Sequence, residues 1–326
     1  MSPTSSTAGR PGAHRGAQGR GDGATTLRLV WPQWRAAGRA DGAPGVGRSG
    51  VGDAYGMGVR VLQMLLPEHD GPTEIIPVAQ EPEPPGPGEP PGRPGPGGQE
   101  EGARGGAMRG IAALRAAREA IARHDPARIL TLGGDSAVSV LPFTELAARY
   151  GPDLAVVWID SHPDISAGRL GRPDPGYRAM ALSHIIGTGE SAVLDELPAA
   201  VAPSRVALAG LYSWTEEDRP GIATWGLHTF SPHDLSEDSG PLLEWLASTG
   251  CGRVAVHLDA DTVDTAEGEQ VRLGVGLDRG GLSLSRANRV VRDLDRAADV
   301  VGLTIAEYVP LQVVALARLL SGLPLV

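Results

Sequence analysis

Two apolar runs that turn acidic at their C-terminal ends carry the residues best suited to chemistry in this chain. The first reads Val156-Val157-Trp158-Ile159-Asp160-Ser161-His162-Pro163-Asp164. The second, well downstream, reads Val254-Ala255-Val256-His257-Leu258-Asp259-Ala260-Asp261-Thr262-Val263-Asp264. Apolar runs of this kind read as buried strands, and in a parallel α/β sheet the C-terminal strand ends face the ligand crevice. Side chains alternate along a strand, so Asp160 and His162 share one face and Asp259 and Asp261 share another. Carboxylates gathered at one place with an imidazole repel one another or sit unpaired, and one or two divalent cations remove that conflict. A single Asp or His at a strand end reads as a cap or a loop residue. Asp160, His162, Asp164, Asp259 and Asp261 together read as metal ligands, and hence as part of an enzyme.

The elements that would hold them alternate between strand and helix. Strands are expected at 27–31, 74–78, 128–132, 156–160, 205–211, 254–259 and 299–307. Helices are expected at 56–66, 108–121, 139–150, 181–186, 241–248, 285–295 and 311–320. That alternation predicts a mostly parallel, doubly wound sheet with helices on both faces. Residues 1–24, rich in Gly, Arg and Ser, read as a disordered tail, and residues 81–102, dominated by Pro, Gly and Glu, as a flexible insertion. The rest, 25–326, reads as one domain, reasonable for a chain of 326 residues.

Composition narrows the function classes. A net charge of -10 argues against a general nucleic-acid binder, which needs a basic surface. No apolar run reaches the ~18 residues of a membrane span. The stretch Met1–Ala24 lacks the apolar core of a secretory signal, and the single cysteine, Cys251, fits a reducing cytoplasm. Gly133-Gly134 suggests a phosphate cradle, but neither a P-loop nor Gly-x-Gly-x-x-Gly follows.

Four strand ends now carry polar groups: Gly133-Gly134-Asp135, Asp160-Ser161-His162-Pro163-Asp164, Asp259-Ala260-Asp261, and Glu307 in Ala306-Glu307-Tyr308-Val309-Pro310. In this order they resemble the arginase (ureohydrolase) family, which includes arginases, agmatinases and formiminoglutamases. Its pattern is Gly-Gly-Asp-His-Ser, Asp-Ala-His-x-Asp, Ser-x-Asp-x-Asp, and a Glu shortly before a Pro. The resemblance covers roughly residues 25–326. It implies a three-layer α/β/α sandwich and two Mn²⁺ ions sharing a hydroxide that attacks a guanidinium carbon. It places Asp160 and Asp259 as ligands of both metals, His162 and Asp261 on one metal, and Asp164 on the other. Glu307 would orient the substrate guanidinium, and Asp135 would steady its loop. A small guanidino or amidine substrate and a homo-oligomer, trimer or hexamer, follow from the same resemblance.

The departures from the pattern are equally specific. The family's histidine ligand after Gly-Gly-Asp falls on Ser136, a neutral oxygen donor that reads better as a helix N-cap. The metal of Asp164 would thereby lose its nitrogen and be weakened or lost. Arg178 stands where the family has a proton-transferring histidine, and arginine stays protonated. His184 is the nearest histidine and would take the role only if the loop were rearranged. Ser166 replaces an asparagine that contacts the amino-acid end of arginine, and Gly210-Leu211-Tyr212 lacks the usual arginine. His257 occupies the family's serine position on the face of Asp259 and Asp261, a candidate for compensating nitrogen ligation. The expected activity is manganese-dependent hydrolysis of a C–N bond in a linear amidine other than L-arginine. The alternative is a catalytically impaired member that serves as a binding or partner subunit.

Overall fold

The computed structural model describes residues 25–33, 48–78, 98–165, 178–214, 216, 218–263, 273 and 280–326. The tail read at 1–24, most of the insertion read at 81–102, and Ser166 and Asp264 lie outside these residues. Among the described residues the strands are β1 (Thr26–Trp31), β2 (Thr73–Ile75), β3 (Arg128–Gly133), β4 (Leu154–Ile159), β5 (Val206–Ala209), β6 (His228–Phe230), β7 (Arg253–Asp259) and β8 (Asp299–Ala306). The helices are α1 (Arg48–Leu65), α2 (Gly98–His124), α3 (Val140–Tyr150), α4 (Ala181–Ile185), α5 (Ser191–Leu194), α6 (Arg219–Trp225), α7 (Gly240–Thr249), α8 (Leu284–Ala297) and α9 (Val313–Leu320).

The strands form one sheet in the order β2-β1-β3-β8-β7-β4-β5-β6, and every pairing is parallel. Strands covered on both faces must be apolar throughout, and β4, Leu-Ala-Val-Val-Trp-Ile, is buried at every position. One face packs on α1, α7, α8 and α9 through residues such as Leu62, Leu246, Val290 and Leu319. The other packs on α2, α3 and α4 through Leu114, Phe143 and Leu182. The result is the three-layer α/β/α sandwich that the alternation of elements predicted.

Helix α8 shows how local sequence sets a layer. Ala287, Val290, Val291 and Leu294 recur at helical spacing and are the residues it buries. The Ser283 hydroxyl accepts from the Arg286 N–H and caps its start.

Several elements differ from the sequence reading: α1 starts at Arg48, well before the expected residue 56, and α5 and α6 are short helices that the reading did not contain. Helix α2 starts at Gly98, inside the stretch read as a flexible insertion. Gln99, Glu100 and Glu101 are good helix formers, and acids suit the first turns of a helix. Strand β6 lies in what read as a polar loop. It is a three-residue edge strand with partly exposed side chains, too short for periodicity to reveal.

Candidate metal centre

The four central strands, β3, β8, β7 and β4, are neighbours in the sheet although they are scattered along the chain. Their C-terminal ends bring Asp135 and Ser136, Glu307, Asp259 and Asp261, and Asp160 and His162 to one crevice. Asp160, Asp259, Asp261 and Glu307 are all buried. Their ligand atoms fall into three overlapping groups, each within 4.8 Å: Asp160, His162 and Asp261; Asp160, His257 and Asp259; and Asp259, Asp261 and Glu307. Asp160, Asp259 and Asp261 each belong to two of the groups, an arrangement that suits adjacent cations sharing carboxylates. Asp164 belongs to none of the three groups. Its φ is 47°, and its carbonyl oxygen accepts from the N–H groups of Leu182 and Ser183, which ties the loop to α4.

Each strand end is held by short-range bonds. Asp160 Oδ1 accepts from its own loop at His162 N, 2.7 Å away, and Asp259 Oδ1 does the same with Asp261 N at 2.7 Å. The other oxygen of Asp160 accepts from Trp158 Nε1 at 3.0 Å. Trp158 stands two residues earlier on the same face of β4, so the strand period makes this bond. Ser161 Oγ donates to Asp261 Oδ1 at 2.9 Å and links the β4 and β7 loops.

Ser136 sits inside the cluster. Its hydroxyl lies 3.1 Å from Asp259 Oδ2 and 3.2 Å from Glu307 Oε1. Asp135, not Ser136, is the cap: its side chain accepts from Ala137 N and starts the 3-10 turn Ser136–Ser139. That placement leaves the Ser136 hydroxyl directed at the carboxylates, which corrects the N-cap expectation. Asp135 steadies its loop as expected. Gly134 lets this loop close, because a Cβ there would lie 2.0 Å from the Gln33 carbonyl oxygen. Glu307 has a φ of 55°, an uncommon conformation for a residue with a side chain. Its N–H donates to the Gly134 carbonyl at 3.0 Å, and the Tyr55 hydroxyl donates to its Oε2 at 3.2 Å. Tyr55 reaches it because Gly58 lets α1 press against the Tyr308 backbone, where a Cβ would lie 1.9 Å from the carbonyl oxygen.

The electrostatics are those of a crowded, buried acidic cluster. Burial pushes the Asp160 carboxyl up to about 6, with Asp261 adding to the rise against the bonds from His162. Burial, then Asp261, Glu307 and Asp160, hold Asp259 well above the usual carboxylate range. Burial alone would lower His162, but Asp261 and Asp160 outweigh it and keep the imidazole protonated well past its ordinary value. Its Nδ1 lies 3.4 Å from Asp160 Oδ1 and 3.3 Å from Asp261 Oδ2, between two carboxylates, where a cation would compete with the proton. Carboxylate oxygens with an imidazole form a donor set suited to Mn²⁺ and similar divalent ions. The His162 side chain is 44% exposed and marks the open side of the crevice.

His184 lies apart from these groups. It is buried in α4; its Nδ1 donates to the Met180 carbonyl at 2.8 Å and its Nε2 accepts from Glu190 N at 3.2 Å. The ring lies against Gly189, where a Cβ would meet Cδ2 at 2.2 Å. These contacts make it a packing histidine, and its ring belongs to none of the three ligand groups. Burial lowers its pKa to about 4. The folded value is depressed, so the stability contributed by the neutral ring is complete above pH 6.5 and is lost as pH falls toward 4. A shift of that size corresponds to roughly 3 kcal/mol. Chemical denaturation of wild type and His184→Gln at about pH 7 and pH 5 should therefore show a smaller loss on acidification in the variant. Equal losses would remove His184 from the acid response. Arg178 opens the 3-10 turn Arg178–Met180 just before α4.

Sequence reasoning passed over three residues that shape the site. Trp158 was legible in principle, as the same-face neighbour of Asp160. Ser139 and Tyr55 had no signal, since only the packing of the 3-10 turn and of α1 against the sheet brings them in.

The family model described as Arginase family matches residues 104–317. The arginase of Eremothecium gossypii is 26% identical over 194 residues, covering 56% of this chain and 46% of that protein. The chain thus matches about half the length of that relative. Among solved structures, the Entamoeba histolytica arginase superposes with a TM-score of 0.66 at 16% identity, covering 90% of this chain and 95% of that one. The agmatine ureohydrolase of Thermoplasma volcanium superposes with a TM-score of 0.54 at 15% identity, covering 91% and 86%.

Proposed function

Because this chain belongs to the arginase family, we propose that it is a divalent-metal-dependent hydrolase of a C–N bond in a linear amidine or guanidino compound other than L-arginine. The observation that carries this reading is the meeting of Asp160, His162, Asp259, Asp261 and Glu307 in one set of overlapping ligand groups at the buried strand ends. The crowding of carboxylates, with Asp160 and Asp259 raised by burial and by their neighbours, fits residues built to hold cations. A bound pair of Mn²⁺ ions would supply a water acidic enough to be a nucleophile near neutral pH.

Within this reading, Asp160, His162, Asp164, Asp259 and Asp261 hold the metals. Glu307 faces the cationic end of the substrate and orients it, its two oxygens steadied by the Tyr55 and Ser136 hydroxyls. Trp158 holds Asp160 and excludes water from the floor of the crevice. Substrate enters past the half-exposed His162. Ser166 and Tyr212, at positions where arginases have Asn and Arg, leave an amino-acid end without its usual partners, which argues against L-arginine. The active form is a homo-oligomer of the cytoplasm. No helix among the described residues is long and apolar enough to cross a membrane.

The test is a screen of the Mn²⁺-loaded protein against guanidino and formimino compounds, with urea and ammonia or formamide as readouts. Turnover of at least one compound in preference to arginine, abolished by a chelator, is the expected result. Full metal loading without turnover of any compound would instead favour a binding or partner subunit.

A further inference from the structure

We propose that His257, from within β7, ligates the cation shared by Asp160 and Asp259 through its Nε2 atom, supplying the nitrogen that Ser136 cannot. The proposal rests on the metallohydrolase reading above and adds a ligand to its weaker metal position.

His257 is completely buried and fixed from two sides. Its ring stacks on Trp158, its cross-strand partner in the β4–β7 pairing, with centroids 3.7 Å apart and planes 13° apart. Its Nδ1 lies 2.8 Å from Ser139 Oγ. A core histidine in such a place should have both nitrogens satisfied, yet Nε2 has no hydrogen-bond partner among the described residues. It lies 3.9 Å from Asp259 Oδ2, too far for a hydrogen bond. Two donors each about 2.1 Å from one cation lie roughly 3–4 Å apart, so this spacing suits shared ligation. An orphaned buried nitrogen costs roughly 1–3 kcal/mol, and a cation removes that cost.

The neighbouring groups agree. His257, Asp160 and Asp259 present ligand atoms all within 4.8 Å of one another. The group Asp160, His162 and Asp261 shares Asp160 and lies on the open side. Two adjacent positions follow, each with one imidazole. In the deeper one, the Ser139 hydroxyl 2.8 Å from Nδ1 is placed to accept an Nδ1–H, and with the proton there the Nε2 lone pair is left for metal, the pattern by which protein histidines are oriented as ligands. Ser136 is a poor substitute, because its hydroxyl is already engaged with Asp259 and Glu307.

The experiment measures Mn²⁺ uptake by calorimetry and elemental analysis in wild type, His257→Phe and His257→Phe/Ser136→His, with folding checked by circular dichroism. Phenylalanine keeps the ring that stacks on Trp158 and removes the nitrogen. Wild type should take up two equivalents, His257→Phe one with the second weakened at least about tenfold, and the double variant two again. Equal stoichiometry and affinity in wild type and His257→Phe would overturn the proposal and leave the hydrolase reading intact. No uptake by wild type would overturn both. Should His257→Phe not fold, proton NMR of the Co²⁺-loaded wild type decides. A slowly exchanging, paramagnetically shifted imidazole N–H is expected from the buried Nδ1 of His257. The half-exposed ring of His162 exchanges its proton with water, so absence of the slow resonance would overturn the assignment.

Discussion

Replacing Asp259 with asparagine is expected to move metal binding and metal-free stability in opposite directions. Asp259 belongs to two of the three ligand groups, so losing its charge should weaken Mn²⁺ binding roughly a hundredfold or more. Turnover should fall on the order of 10³-fold, equivalent to about 4 kcal/mol of transition-state stabilisation. The metal-free protein should respond the other way. Burial and the carboxylates of Asp261, Glu307 and Asp160 hold Asp259 well above its ordinary pKa. The folded value is raised, so stability from this group is present at low pH and is lost as pH rises through that value. At about pH 7.5 the wild-type carboxylate is therefore a burden that a neutral amide lacks. Thermal denaturation without metal should show Asp259→Asn at least as stable as wild type. At roughly a thousandfold excess of Mn²⁺ over Kd, wild type alone should gain about 4 kcal/mol. A variant that keeps the metal-induced rise would place the cations elsewhere.

Glu307→Gln is expected to lower kcat/KM by roughly 10²- to 10³-fold with metal stoichiometry unchanged, because a buried charge pair that loses one partner costs about 2–5 kcal/mol. The amide keeps the shape of Glu307 but removes the charge that would face a guanidinium. The amide nitrogen also meets a hydroxyl donor, because Tyr55 and Ser136 both approach this carboxylate. The measurement that checks the role is paired: steady-state kinetics on the substrate found by screening, and metal content of the same preparation. Loss of a metal equivalent would make Glu307 a metal ligand, in keeping with its place beside Asp259 and Asp261. Unchanged kinetics would remove it from substrate orientation.

How far the site could be read beforehand varied with the kind of residue. Asp160, His162, Asp259 and Asp261 were legible because a strand ending in acids has few other uses, and they do converge. Asp164 comes from the same motif and stands outside the three compact groups, so its place on a metal rests on the family resemblance alone. Ser136 read as a cap, and the cap is Asp135, since either short polar side chain can serve and only the backbone path selects one. His184 read as a remote substitute for a missing base, and the packing of α4 against Gly189 engages its ring instead.

The sequence by itself determined the architecture and the acidic character of the strand ends. Alternation of buried strands with amphipathic helices has few packings other than a parallel sheet covered on both faces, and acidic strand ends gather where such a sheet opens. Tertiary structure decided which strand ends are neighbours. The pairs β4 and β7, and β8 and β3, are adjacent only through the crossover order of the sheet, which no local pattern encodes. It also decided what stands beside the gap at Ser136: His257 stacks on Trp158 because register sets them opposite each other across β4 and β7. Backbone hydrogen bonding over long sequence separations fixes that register, and with it the stack that holds the His257 ring in place.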